Sequence, residues 1–136
     1  MKNSSKRKNL KVIERDYRLQ STKDILREQQ LTGLLNNSKW LAIFETIQGL
    51  NCRFRIKLLT DTEVTISNSW SQEIIELEKH EFLSENYEDY GFIEFKEIQR
   101  IDIELVKFSE ELKKEFEALG DVEVNENMIS IYGYWV

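Results

Sequence analysis

The chain has 136 residues and a mass of 16.3 kDa, enough for one domain around a single core. Hydrophobic residues make up 40% and charged residues 32%, a balance that excludes both a disordered and a membrane-embedded chain. The net charge of -6 divides unevenly: residues 1–30 carry nine Lys/Arg against four Asp/Glu, a leader of +5, and residues 31–136 carry ten against twenty-one, a body of -11. An acidic body argues against general binding to phosphate backbones and leaves only the leader for that role.

One cysteine, Cys52, cannot form an internal disulfide and suits a reducing compartment, so the expected location is cytoplasmic. The basic start lacks an apolar stretch after it, because Leu10 to Leu19 includes Lys11, Glu14, Arg15, Asp16 and Arg18. No window approaches the roughly 20 apolar residues of a membrane helix, and no membrane partner is expected. Proline is absent. Turns therefore rest on Gly, Asn, Asp and Ser.

In chain order, residues 1–9 lack hydrophobic periodicity and predict a disordered tail. Leu10, Ile13 and Tyr17 recur at helical spacing, and Ser21 with Asp24 has capping-box spacing that starts a second short helix ending near Gly33. Asn36-Asn37-Ser38 caps the next helix, in which Trp40, Leu41, Phe44 and Ile47 share a face and Gly49 marks the end. From Cys52 the period becomes two: Cys52, Phe54, Ile56 and Leu58 alternate with Arg53, Arg55 and Lys57, a half-buried strand with a cationic outer face. Thr60-Asp61-Thr62 turns the chain into a returning strand at Val64 and Ile66, followed by a polar loop over Ser67-Asn68-Ser69. Ile74, Ile75, Leu77 and Phe82 fit a strand followed by a turn, or one amphipathic helix; strand is favoured for Glu73–Glu78.

Beyond Gly91, Ile93, Phe95, Ile101, Ile103 and Leu105 share one parity while Ile98 falls on the other, which predicts a bend between Glu97 and Arg100. Leu105, Phe108, Leu112, Phe116 and Leu119 follow helical spacing over about 106–119, with Glu110 and Lys114 as an i,i+4 pair. The end reads as a hairpin about Asn125-Glu126-Asn127. Helices first, then hairpin strands, a further helix and a last hairpin give an α+β fold with a mostly antiparallel sheet. The expected organisation is a basic extension over 1–35 and a single acidic domain over 36–136, with no repeats.

At Asn36-Asn37-Ser38-Lys39-Trp40 the chain resembles a small bacterial family of unknown function whose members open with an Asn-Asn-Thr-Lys-Trp-like helix start. The likeness continues through Phe54-Arg55-Ile56-Lys57, Ser69-Trp70-Ser71 and Ile93-Glu94-Phe95-Lys96-Glu97-Ile98, where that family often shows Ile-Glu-Trp, and covers residues from about 36 to 104. The resemblance implies a compact bacterial α+β domain and carries no activity.

The residues themselves assemble no catalytic constellation. His80, the single histidine, stands between Lys79 and Glu81 in a charged run and reads as a surface residue. Cys52 lies on the apolar parity of its strand and reads as core rather than nucleophile. His80-Glu81 lacks the second histidine of a zinc-protease helix, and the isolated glycines form no phosphate loop. A calcium loop counted from Asn86 fails at its fifth position, Tyr90, where an oxygen ligand is needed. No catalytic residue, metal or cofactor is expected.

Two charged segments remain. Glu73, Glu76, Glu78, Glu81, Glu85, Glu88 and Asp89 stand against Lys79 alone, interleaved with Phe82, Tyr87 and Tyr90. This is either a solvated loop or a docking face in which acids steer a basic partner and aromatics anchor it. The function expected from it is a non-enzymatic protein-binding module, most concretely an immunity or antitoxin-like inhibitor whose carboxylates cover a basic toxin or nuclease site. The basic leader supports the alternatives of a nucleic-acid accessory protein or a homodimer pairing leader and body in trans, and the abundance of acids that of a carboxylate-based hydrolase.

Overall fold

The computed structural model describes the backbone of residues 2–61, 66–85 and 91–136, and the side chains of residues 13–61, 69–85 and 91–136. No Gly or Pro precedes Gly33, and Lys, Arg, Leu and Gln propagate helices well. Helix α1 therefore runs unbroken over Lys2–Glu28, in place of a tail through residue 9 and two short helices. Ser21 and Thr22 fall within it; Thr22 Oγ1 donates to the Arg18 carbonyl one turn back, at 3.0 Å, rather than opening a new helix. The helix ends ahead of Gly33. Gln30 adopts a φ of 53°, and the Leu31 N–H closes onto the Leu26 carbonyl at 3.0 Å in a Schellman arrangement.

Helix α2 (Asn37–Gly49) matches its sequence pattern: Asn36 Oδ1 accepts the Lys39 N–H at 2.9 Å, and Trp40, Ile43, Phe44 and Ile47 are buried. Strand β1 (Arg53–Leu58) buries Phe54, Ile56 and Leu58 and leaves Arg53, Arg55 and Lys57 half-buried. Its hairpin partner β2 (Ile66–Trp70) sets Ile66 opposite Ile56 and Trp70 opposite Arg53. The polar stretch 67–69, expected as a loop, is thus strand, because backbone pairing needs no apolar side chains and Ser69 fits the buried face. Val64 lies outside the described residues.

A three-residue 3-10 turn at Ser71–Glu73 then carries the chain into a second sheet made of β3 (Ile74–Leu77), β4 (Glu81–Ser84) and β5 (Ile93–Glu94), in that order. A matching turn at Phe95–Glu97 carries it back to β6 (Ile98–Glu104), which pairs with β1. Each turn ends on a Glu that reaches back to a backbone N–H, Glu73 to Trp70 at 3.3 Å and Glu97 to Glu94 at 2.7 Å. The bend expected between Glu97 and Arg100 is this second turn, one to two residues earlier, and the local device recurs although the sequence shows no repeat. Helix α3 (Glu110–Glu117) is shorter than the predicted 106–119: Ser109 caps it through the Leu112 N–H at 3.2 Å, while the Leu105 N–H bonds to the Asn127 carbonyl. Its ion pair among the described residues is Lys113–Glu117, at 3.5 Å, rather than Glu110–Lys114.

The chain closes with β7 (Val122–Asn125) and β8 (Met128–Tyr132), and Glu126 takes a φ of 56° at the expected turn. The larger sheet has the order β2-β1-β6-β8-β7, with antiparallel neighbours throughout. The fold is α+β. One core joins α2, α3 and both sheets, with Phe44, Phe82 and Phe95 clustered in a triangle of ring centroids 4.6, 5.5 and 6.5 Å apart, and Trp40 6.0 Å from Phe44.

Candidate protein-docking surface

The acids of the run that lie among the described residues do not form one face. They separate because β3 and β4 alternate and the 3-10 turn rotates the chain between sheets. Glu73 caps its own turn. Glu76, Glu78 and Glu85 are exposed. Glu81 turns toward α1, where its Oε2 accepts from Arg15 Nη2 at 2.5 Å. Phe82, expected as a docking anchor, is fully buried against Phe44, a correction that follows from its position opposite Leu77 on the inner side of the smaller sheet. Tyr87, Glu88, Asp89 and Tyr90, with Asn86 the first five positions of the near-calcium loop, lie outside the described residues, and its twelfth position, Glu97, bonds to Arg18.

Of the exposed acids, Glu76 lies on β3, Glu78 directly follows it, and Glu85 follows β4 beside the start of β3. Among the described residues β3 pairs only with β4, so it is an edge of its sheet. A register irregularity between Ile74 and Glu76 breaks the alternation there. Ile75, whose apolar character suggests core, is 52% exposed as a result and stands beside Glu76. At the far end of the strand, Leu77 and Glu78 meet Ser38, Leu41 and Glu45 of α2 in an open cleft of about 450 Å³. No signal in the sequence separates Ile75 from its buried neighbour Ile74.

Part of the leader faces the body of the same chain. Arg18 Nε donates to Glu97 Oε1, Arg18 Nη2 approaches Glu97 Oε2 at 3.4 Å and donates to the Phe92 carbonyl at 3.0 Å, and Glu97 is fully buried. The Arg15 guanidinium lies 5.7 Å from the centre of the Phe92 ring as well as on Glu81. Two leader cations thus pair with the body of their own chain. A groove of about 520 Å³ runs along the same stretch of α1, lined among the described residues by Glu14, Tyr17, Ser21 and Ile25 with Thr60 and Asp61.

On the outer face of the larger sheet the cationic row of β1 is set against acids: Arg53 stands opposite Glu104 and Arg55 opposite Asp102. Lys57 is opposite Arg100, and burial together with that neighbouring charge pushes its pKa down, opposed by Asp61. Arg53 also lies 4.3 Å over the Trp70 ring. Cys52 is buried as expected, and its burial pushes the thiol pKa up against a smaller opposing effect of Ser71. His80 is exposed. Among the described residues no three His, Cys, Asp or Glu side chains gather as metal ligands would, and no helix is long and apolar enough to cross a membrane.

These features define an α+β domain with an acidic edge strand and a charge-docked N-terminal helix. The chain belongs to the family DUF6678, a family of unknown function, whose model matches residues 22–136. The match extends through the C-terminal hairpin and begins inside α1, after Arg15 and Arg18. No curated protein and no solved structure matches the chain.

Proposed function

We propose that this chain is a non-enzymatic protein-binding module of the bacterial cytoplasm that docks a basic protein through the β3 edge. Its most concrete form is an immunity or antitoxin-like inhibitor that presents carboxylates to a basic nuclease-type site. The observation that carries the reading is Ile75, 52% exposed on an edge strand and flanked by exposed Glu76, with exposed Glu78 and Glu85 nearby. An edge with no further strand beside it among the described residues supplies backbone donors and acceptors beyond the Ile74 carbonyl that Gln48 takes, an exposed Ile supplies apolar contact, and carboxylates steer a cationic partner while opposing self-association of the edge. Nucleic-acid binding by the leader has less support, since Arg15 and Arg18 are engaged with Glu81 and Glu97.

The test is affinity capture from the native host with the full chain and with a Glu76→Gln/Glu78→Gln/Glu85→Gln variant, followed by measured association of the captured protein over a salt series. The expected partner is basic, binds more slowly as salt rises, and is lost by the variant while its circular dichroism is unchanged. Equal retention of the same protein by the variant would refute the β3-edge reading.

A further inference from the structure

Helix α1 is attached to the body in an unusual way. None of its described side chains belongs to the hydrophobic core or to the apolar residues packed against that core, and Ile13 and Tyr17 are 63% and 77% exposed. An ordinary surface helix is held by an apolar stripe. This one docks through Arg15 and Arg18, three residues apart, with Thr22 also fully buried one turn further on, and the body meets the arginines with Glu81, Glu97 and both the ring and the carbonyl of Phe92.

That pocket is built without α1. Glu97 is placed by its own 3-10 turn, where it accepts the Glu94 N–H at 2.7 Å, and Glu81 is fixed opposite Glu94 by β4–β5 pairing. All of these residues lie inside the stretch that matches the family, whereas Arg15 and Arg18 precede it. With a helix seated over it Glu97 is fully buried, and a buried carboxylate needs a cationic partner, since leaving it unpaired is strongly unfavourable. A guanidinium from another helix meets that need as well as Arg18 does. Leu34 is pinned by its N–H bond to Gly133 O and Leu35 belongs to the core, so residues 29–33 are the stretch across which α1 can leave while the core stays packed.

We propose that Glu81, Glu97 and Phe92 form a receptor for a partner-protein helix bearing two arginines three residues apart, that α1 occupies it in cis, and that the partner binds by displacing α1. The receptor is distinct from the β3 edge, and the two readings stand or fall separately. In the exchange each of the two carboxylates keeps a guanidinium, so the net change in ion pairing is small. What the partner must overcome is the tether, which gives α1 a high effective concentration.

The test uses the full chain and a fluorescent peptide of residues 10–24 as the displacing helix. Arg18→Ala in the chain removes the main cis contact and is expected to tighten peptide binding by about tenfold or more. A peptide with Arg15→Ala and Arg18→Ala is expected not to bind, and Glu97→Gln in the chain to abolish binding. Glu81 is partly exposed, so Glu81→Gln should fold normally and still weaken the peptide several-fold; this keeps the test informative if the Glu97 variant does not fold. Equal peptide affinity of the wild-type and Arg18→Ala chains, equal binding of the arginine-free peptide, or no effect of Glu81→Gln would each overturn the proposal. A full-length dimer that dissociates on Arg18→Ala would place α1 in trans and overturn cis occupancy.

Discussion

Gly133 sits between the Ile98 carbonyl and the Trp40 ring, and replacing it by alanine tests how the last strand is seated. The new Cβ would lie 2.3 Å from Ile98 O and 2.8 Å from Trp40 Cζ2, whereas such contacts do not fall below 3.0 Å. The segment must therefore retreat by about 0.7 Å from a backbone oxygen, which cannot rotate away as a side chain would. Retreat strains the Gly133 N–H bond to Gln99 O at 2.7 Å and the Leu34 N–H bond to Gly133 O at 2.9 Å. Overpacking of this kind costs about 1–3 kcal/mol and a weakened hydrogen bond about 1 more. A loss of about 3 kcal/mol corresponds to a fall of about 10 °C in Tm for a chain of this size. Thermal and urea unfolding followed by circular dichroism measure it. Gly49→Ala is the control: a Cβ there meets nothing within 4 Å and alanine favours the helix, so stability should hold or rise by up to about 1 kcal/mol. A Gly133→Ala protein melting within about 2 °C of wild type would refute the close approach.

Alkaline pH should destabilise the fold. Burial raises the pKa values of Tyr132 and Tyr134 above their ordinary 10.0, with Glu123 adding to the shift at Tyr132, and burial raises Cys52 above 9.0. The folded state then binds these protons more tightly, a contribution complete below the ordinary values and lost as pH rises through the raised ones. Lys57, whose pKa is lowered, offsets part of the loss because its penalty disappears as it deprotonates. Tm measured from pH 7 to 11 should fall at the upper end. Tyr134→Phe should flatten that fall while costing about 1 kcal/mol at pH 7, because the Tyr134 hydroxyl donates to the Lys96 carbonyl at 2.8 Å. The Cys52 thiol should react with a disulfide reagent only as fast as the domain opens, so that urea-induced unfolding and labelling coincide; rapid labelling of the native protein would contradict its burial. Gln30→Gly should raise stability by up to about 1 kcal/mol, since Gln30 holds a φ of 53° that glycine adopts without strain, and an unchanged or lower Tm would count against the Schellman end.

Where local chemistry and burial agree, the pattern of residues is readable. Asn36 precedes an apolar face at helical spacing, and α2 starts there; Phe54, Ile56 and Leu58 alternate with cations, and β1 follows. Asn125-Glu126-Asn127 turns the last hairpin as expected, and Trp40 and Cys52 are core. The misses share a cause. Ile74 and Ile75 are equally apolar, but a register irregularity on an edge strand buries one and exposes the other. Glu97 is one acid among twenty-five acidic residues, yet its turn points it inward onto Arg18, 79 positions earlier in the chain.

Charge composition alone separated a basic leader from an acidic body, and periodicity alone gave the α+β class, α2, β1 and the final hairpin. Only the tertiary structure decided that Arg15 and Arg18 of the leader neutralise Glu81 and Glu97 of that body, that Phe82 belongs to the core, and that Ile75 and Glu76 are exposed on the β3 edge. The reason is physical. Local sequence fixes which backbone bonds and caps can form, whereas burial of a given side chain depends on which distant element packs over it, and a carboxylate carries no mark of whether water or a guanidinium will be its partner.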